Sequence, residues 1–227
     1  MIPSLRVTVL VENTAARRGL VGEHGLAFWV EAGERRVLFD TGQGLALEHN
    51  ADRLGVDLAA ADAVVISHGH YDHVGGLVAA IDRFEQTPVY VHPDAFVRRY
   101  SKKGEVGLAS LGGDVTTFEA LRERVGAVVF TQTPTEVCDG VWATGAIPRR
   151  NDFERDPARF FLDDAGATPD PLHDDQALYI DGPQGLVVLL GCAHAGVVNT
   201  LAYVEEISGR RRAHAVIGGM HLLHASD

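Results

Sequence analysis

Ser67-His68-Gly69-His70-Tyr71-Asp72-His73 is the stretch on which the reading of this chain turns. Three imidazoles and a carboxylate fall between positions 68 and 73. The run before them, Ala63–Ile66, is short and apolar, fits a buried strand, and delivers the chain directly into His68. Residues two apart on an extended chain point the same way, so His68 and His70 can grip one metal ion together. Asp72 and His73 stand where the chain turns into a helix and can face a second ion. Imidazole nitrogens with a carboxylate suit zinc, iron or manganese. Gly69 and the Gly75-Gly76 pair permit tight turns and close backbone approach.

Outward from this stretch the pattern is β first and mixed later. Leu5–Val11, Leu26–Val30 and Arg36–Phe39 read as strands, the last two joined by a hairpin-like turn at Glu31-Ala32-Gly33-Glu34. A polar, Gly-rich loop, Asp40-Thr41-Gly42-Gln43-Gly44, ends the third strand, and a short helix is expected near Leu45–Leu54. Gly76–Phe84 is expected as a helix, Pro88–Val91 as a strand, and 94–124 as mostly helical with a break at Leu111-Gly112-Gly113. Ala127–Thr131 and Val141–Thr144 read as strands. Ile147 to Pro171, rich in charge, Pro and Asp, reads as a long excursion of the kind that often carries function. Ala177–Ile180 and Leu186–Leu190 resemble a hairpin around Asp181-Gly182-Pro183. Val197–Ile207 has helical spacing, and Ala213–Ile217 is a last strand. The expected class is α+β, with sheets packed together and helices outside, in one domain spanning residues 1–227.

Composition narrows the function classes. The chain has 227 residues, of which 46% are hydrophobic, enough for a sizeable core. No apolar run approaches the ~20 residues that span a bilayer, so no membrane role is expected. No signal peptide is visible at the start, and a cytoplasmic location is the expectation. A formal net charge of -11 argues against nucleic-acid partners, because an acidic surface repels phosphate backbones. A small phosphorylated substrate stays allowed, since a metal pair inverts the local field. Only two cysteines occur, Cys138 and Cys192, too few for a disulfide framework. Of the eleven histidines, four lie between His68 and His92, a density that again points to metal.

His-x-His-x-Asp-His after a strand resembles the signature of the metallo-β-lactamase superfamily, and Leu38-Phe39-Asp40-Thr41-Gly42 resembles its usual companion. The resemblance implies a metallo-β-lactamase-like αββα sandwich. It implies that Asp40 stands behind the metal, holding a ligand histidine in place; a turn-capping aspartate is the plainer alternative. Glu12-Asn13-Thr14, Glu23-His24-Gly25-Leu26, Asp174-Asp175-Gln176-Ala177-Leu178, Gly191 to Thr200 and Gly218-Gly219-Met220-His221-Leu222 are similar to one branch. Its members are the 7,8-dihydropterin-6-yl-methyl-4-(β-D-ribofuranosyl)aminobenzene-5'-phosphate synthase-like proteins.

The superfamily completes its site with ligands from later strand ends. His194 and His221, each following a strand, are the residues the resemblance picks. Cys192 stands where the superfamily often has a bridging aspartate, and it reads either as a thiolate ligand or as a small buried hydrophobe. His92 ends a strand but is not expected to ligate. His24 is open between an approach to the site and an ordinary turn residue, and His49, His173, His214 and His224 read as surface or loop residues. The chain ends at Asp227, shortly after His221, where the resemblance implies a further helix and strand. An uncovered sheet edge there makes a homodimer one expectation.

The chemistry follows from the ligands. Two divalent metal ions, Zn2+ before Mn2+ or Fe2+, ~3.5–4 Å apart would share a water and lower its pKa toward neutrality. Asp72 would orient that nucleophile and pass a proton to the leaving group. Asn199 lies in the first turn of a helix opened by Gly196, whose free amides suit a phosphate. The leading expectation is hydrolysis at a phosphoester of a nucleotide- or pterin-like small molecule, or the related synthase reaction. The alternative on the same site is a lactone, ester or thioester hydrolase. A redox or non-catalytic metal protein is the alternative of another class. Redox members of the superfamily usually carry Glu where this chain has His70, which favours hydrolysis.

Overall fold

The computed structural model describes residues 2–102, 108–110, 115–154 and 159–222. Strand β1 (Leu5–Val11) pairs antiparallel with β2 (Ala27–Ala32), and β2 with β3 (Arg35–Phe39). Helix α1 (Leu47–Leu54) then leads to β4 (Ala63–Val65), and helix α2 (Tyr71–Ala79) to β5 (Pro88–Val91). Strands β6 (Tyr100–Lys102) and β7 (Leu108–Ser110) precede α3 (Val115–Arg124) and β8 (Ala127–Phe130). After them come β9 (Thr135–Cys138), β10 (Val141–Ala143), β11 (Phe160–Phe161), β12 (Ala177–Gly182) and β13 (Gly185–Leu190). Helix α4 (Val197–Ser208) and β14 (Ala213–Gly218) close the described chain.

Among the described residues three sheets result, ordered β1-β2-β3-β4-β5-β8, β14-β13-β12-β10-β9 and β11-β6-β7. Strand alternation builds the layers between and outside the two large ones. In β2, Phe28, Val30 and Ala32 face one way and join Val37, Phe39, Ala63 and Val65 against Leu178, Ile180, Val187 and Leu189 of the five-stranded sheet. On the opposite face, Ala27, Trp29, Leu38, Val64 and Ile66 pack against Leu47 and Ala51 of α1 and Val74 and Leu77 of α2. The outer face of the five-stranded sheet, with Tyr179, Leu186, Val188 and Leu190, takes Leu201 and Val204 of α4. Helix, sheet, sheet, helix is the αββα sandwich that the resemblance implies. Each buried Val, Leu, Ile or Phe stabilises the fold by roughly 1.5–3 kcal/mol, against about 1 kcal/mol for a typical hydrogen bond. The scaffold therefore does not depend on any one polar contact at its rim.

Two expectations are corrected. The described part of 94–124 is largely helical, with a 3-10 turn at Pro93–Phe96 and α3, but it also holds strands that were not expected: β6 and β7 pair with each other and β6 pairs with β11, so the excursion supplies a strand to this region. The Leu111-Gly112-Gly113 break lies outside the described residues. The helix expected over Gly76–Phe84 starts earlier, at Tyr71, and ends at Ala79, before a 3-10 turn at Ile81–Arg83. A side chain at Gly76 would lie 2.0 Å from the Thr41 carbonyl, so its glycine serves close approach rather than a helix start. Strand β9, unmarked in the sequence reading, also joins β10. Among the described residues no helix is long and apolar enough to cross a membrane.

Strands β3, β4, β5 and β8 run parallel, as do β13 and β14. Loops leaving the carboxyl ends of parallel strands gather at one rim, the usual place for a ligand site in such sheets.

Candidate metal centre

Four strand ends supply the site. Asp40 leaves β3, His68 leaves β4, Cys192 and His194 leave β13, and His221 leaves β14. The backbone is tight at these points: Asp40, Ala193 and His221 all have positive φ, at 59°, 54° and 50°. A non-glycine residue in that region costs about 1–3 kcal/mol unless its surroundings enforce it.

The enforcement at Asp40 is visible. Its carboxylate, wholly buried, accepts the Ser67 amide on Oδ1 and the Ser67 hydroxyl on Oδ2, both at 2.7 Å. The same Oδ2 accepts His73 Nδ1 at 2.7 Å. The Ser67 hydroxyl has one proton, spent on Asp40, so toward His68 Nδ1 at 2.9 Å it can only accept. One aspartate thus fixes the tautomer of two histidines, and both keep Nε2 as a lone-pair donor. Gly191 lines this network, where a Cβ would lie 2.1 Å from Ser67 Oγ.

The donors converge in two triads that share His68. His68, His70 and His194 offer ligand atoms within 4.8 Å of one another, as do His68, His73 and Cys192. His73 Nε2 lies 3.1 Å from Cys192 Sγ and 3.5 Å from Asp72 Oδ2. The His221 ring stands 4.7 Å from that of His194, and His221 itself is exposed. His24 is exposed too, with Nε2 3.4 Å from Asp72 Oδ2, so the site opens on the side of His24, Asp72 and His221.

Whether these residues fit a metal is tested by what they leave unsatisfied. His70 Nε2 and both ring nitrogens of His194 are buried without a hydrogen-bond partner. Buried polar atoms rarely stay unpaired, and an ion would take the lone pairs of His70 Nε2 and of one His194 nitrogen, the other His194 nitrogen carrying the ring proton. Burial pushes His68 and His194 well below the usual imidazole range, and it takes His70 to about 3; neighbouring histidines add to the effect. Neutral imidazole is the form that ligates. At His73 burial pulls the same way but is outweighed by Cys192 and Asp40, so the pKa rises. The surroundings of His73 favour positive charge, which is what a divalent ion supplies. The donor set fits.

Other residues bear on the site without a signal in their local sequence. Asp174 Oδ2 accepts the Gly69 amide at 2.7 Å, and Asp175 Oδ2 accepts the Ala195 amide at 2.6 Å. Burial raises the Asp175 carboxyl to about 7. Arg149 donates to the His194 carbonyl at 2.5 Å. The Phe160 ring lies 4.7 Å from that of His70 and 5.3 Å from that of His194, an apolar wall. The Asp174-Asp175 pair stood in the branch resemblance; Arg149 and Phe160 stood only inside the long excursion. His92 Nδ1 accepts the Asp94 amide at 3.1 Å.

Asn199, expected to face substrate, is engaged within the fold. It is buried; its Oδ1 accepts the Arg150 and Asn151 amides, and its Nδ2 donates to the Ala195 carbonyl at 2.8 Å. The N-terminus of α4 is equally committed, because Glu154 accepts the Val198 amide at 2.7 Å and the Asn199 amide at 2.9 Å. A carboxylate from the excursion already holds the place in which a phosphate was expected.

An αββα sandwich with this donor set at its rim defines a metal-binding hydrolase. The sequence matches the profile of the metallo-beta-lactamase superfamily over residues 20–227, and the chain belongs to that superfamily. Among curated proteins it is 27% identical to 7,8-dihydropterin-6-methyl-4-(beta-D-ribofuranosyl)-aminobenzene-5'-phosphate synthase of Methanocaldococcus jannaschii, over 100% of this chain and 80% of that protein. Among solved structures it resembles Tm1679, a metal-dependent hydrolase of the beta-lactamase superfamily. That match has 30% identity and a TM-score of 0.77, and it covers 98% of this chain and 79% of the other. A quorum-quenching N-acyl homoserine lactone lactonase shares the fold at 15% identity and a TM-score of 0.55, covering 100% of this chain and 96% of its own.

Proposed function

We propose that the chain is a binuclear metal hydrolase acting on a phosphoester of a pterin- or nucleotide-like metabolite, or on the ribofuranosyl phosphate compound of the related synthase reaction. The observation that carries the metal chemistry is the pair of triads around His68. The phosphorylated, ring-bearing substrate class is supported by the likeness to the Methanocaldococcus jannaschii synthase over 100% of this chain and 80% of that protein. The α4 N-terminus lends it no support, being taken by Glu154.

In this reading His68, His70 and His194 hold one ion, while Asp72, His73 and His221, with the Cys192 thiolate, hold the other. Divalent ions bound there, zinc first, would supply a water of lowered pKa and positive charge to offset the charge that develops on the substrate oxygen. The residues of the chain do the rest. Asp40 and Ser67 keep the Nε2 lone pairs of His68 and His73 turned into the site. Asp72, at the open side beside His73 and His24, would orient the attacking water and take its proton. Phe160 excludes solvent from the His70 and His194 side.

Metal analysis of the purified chain, with His68→Ala and Asp72→Ala beside it, tests the first part. The expected result is two ions per chain in the parent and fewer in both variants. A parent that holds no metal and cannot be reconstituted overturns it. A panel of a phosphodiester, a lactone and a thioester tests the second part, and turnover of the carboxyl substrates alone overturns the phosphoester reading.

A further inference from the structure

Arg99 is 1% exposed, and no residue so far given a role explains a guanidinium at that depth. Its Nε donates to Asp170 Oδ2 at 2.5 Å and its Nη2 to Asp174 Oδ1 at 2.7 Å. Buried ion pairs contribute little net stability, because desolvation offsets their attraction. What this one does is geometric.

Each carboxylate passes the arrangement on. Asp174 uses its other oxygen to accept the amide of Gly69, the residue between His68 and His70. Gly69 is itself pressed against Arg99: a Cβ there would lie 2.6 Å from Nη1 and 2.0 Å from the Ala95 carbonyl. Asp170 uses its other oxygen to accept the Leu172 amide at 2.8 Å, and its own amide donates to the Phe160 carbonyl at 2.9 Å. Phe160 lies in β11, which pairs with β6 immediately after Arg99. Its ring is the one laid on His70 and His194.

We infer that Arg99 is a positioning residue with two branches, one fixing the His68–His70 backbone through Asp174 and the other fixing the Phe160 wall through Asp170. The rigid planar fork of a guanidinium suits it to hold two carboxylates at a set angle, which a lysine ammonium does not do. The wall and the ligands are then placed relative to each other by a single side chain. The inference rests on the metal-centre reading above.

Co2+ reports on both branches. Its affinity for the full chain, measured against a competing chelator, reads the ligand branch. Quenching of indole fluorescence by bound Co2+ in a Phe160→Trp background, taken as the difference from the parent chain, reads the wall branch. Asp174→Asn is expected to weaken Co2+ binding about 10–100-fold, as loss of a residue that orients ligands does, and to keep the quench at saturation. Asp170→Asn is expected to keep the affinity and lose most of the quench. Arg99→Lys is expected to do both. The two asparagine variants keep the guanidinium and nearly the same volume, so they decide the matter even if Arg99→Lys does not fold. Identical behaviour of the two, or parent-like affinity and quench in either, overturns the inference. A parent that takes up no Co2+ removes the metal reading itself, a separate and recognisable outcome.

Discussion

The two halves of the metal centre are built in opposite ways. The half from His68 to His73 is a single short segment, in which a strand end and the first turn of α2 set the donors by local geometry. The half from Cys192, His194 and His221 is assembled from β13 and β14 in the other sheet, and it depends on how the sandwich closes. The first half is also the better anchored: Asp40, Ser67 and Asp174 hold its backbone and ring nitrogens, whereas His194 has no side-chain hydrogen bond and is held through the main chain. Local donors can be pre-set by hydrogen bonds; the His194 ring, with no such bond, depends on its backbone and packing.

This asymmetry orders the effects of substitution. The largest falls on the shared residue. His68→Ala removes a donor of the ion proposed for His68, His70 and His194, and we expect loss of that ion together with roughly a 1000-fold or greater fall in turnover, several kcal/mol of lost charge stabilisation. Metal content and kcat measured on one preparation check it, and retention of two full equivalents would overturn the assignment of His68 as a ligand. Asp40→Asn comes next. An amide cannot accept from Ser67 and His73 as the carboxylate does, and metal affinity should fall about 10–100-fold by chelator competition.

In the distal half, Cys192→Ser is expected to lower occupancy of one ion and leave the other. The check is the sulfur-to-cobalt charge-transfer band of the Co2+ form, which should vanish; its absence from the parent would make Cys192 a bystander. The smallest effect is expected at Asn199→Ala. Lost contacts to the Arg150 and Asn151 amides should cost about 1–3 kcal/mol in urea unfolding, with KM for a phosphoester unchanged. A large rise in KM alone would return Asn199 to the substrate.

The contrast between the halves is also the contrast between what the sequence discloses and what it hides. His68, His70, Asp72 and His73 could be read because the spacing of a strand and a helix start is itself the geometry. Asp40 needed the family likeness, since a buried aspartate and a turn cap look alike in sequence. Arg99 was hidden: it follows another arginine, and both of its carboxylates lie more than 70 positions away. Glu154 was hidden for the same reason, with the Val198 amide 44 positions distant, and so α4 was assigned a free end that it does not have. The pair β6 and β7 was mistaken for helix because its pairing with β11 is a tertiary fact that local propensity does not carry.

The Glu154 cap has a consequence for how such an enzyme can change. The excursion is moored at one end by Glu154 on α4 and at the other by Asp170 on Arg99. Chain inserted or exchanged between two moorings leaves their positions alone, and the entropy of a longer loop grows only slowly with its length. On the proposed reading, substrate range would drift in that interval, with Phe160 kept, while the ligands keep their places. A library randomised there, with Glu154, Phe160 and Asp170 kept, should yield variants that bind metal like the parent yet differ in what they hydrolyse.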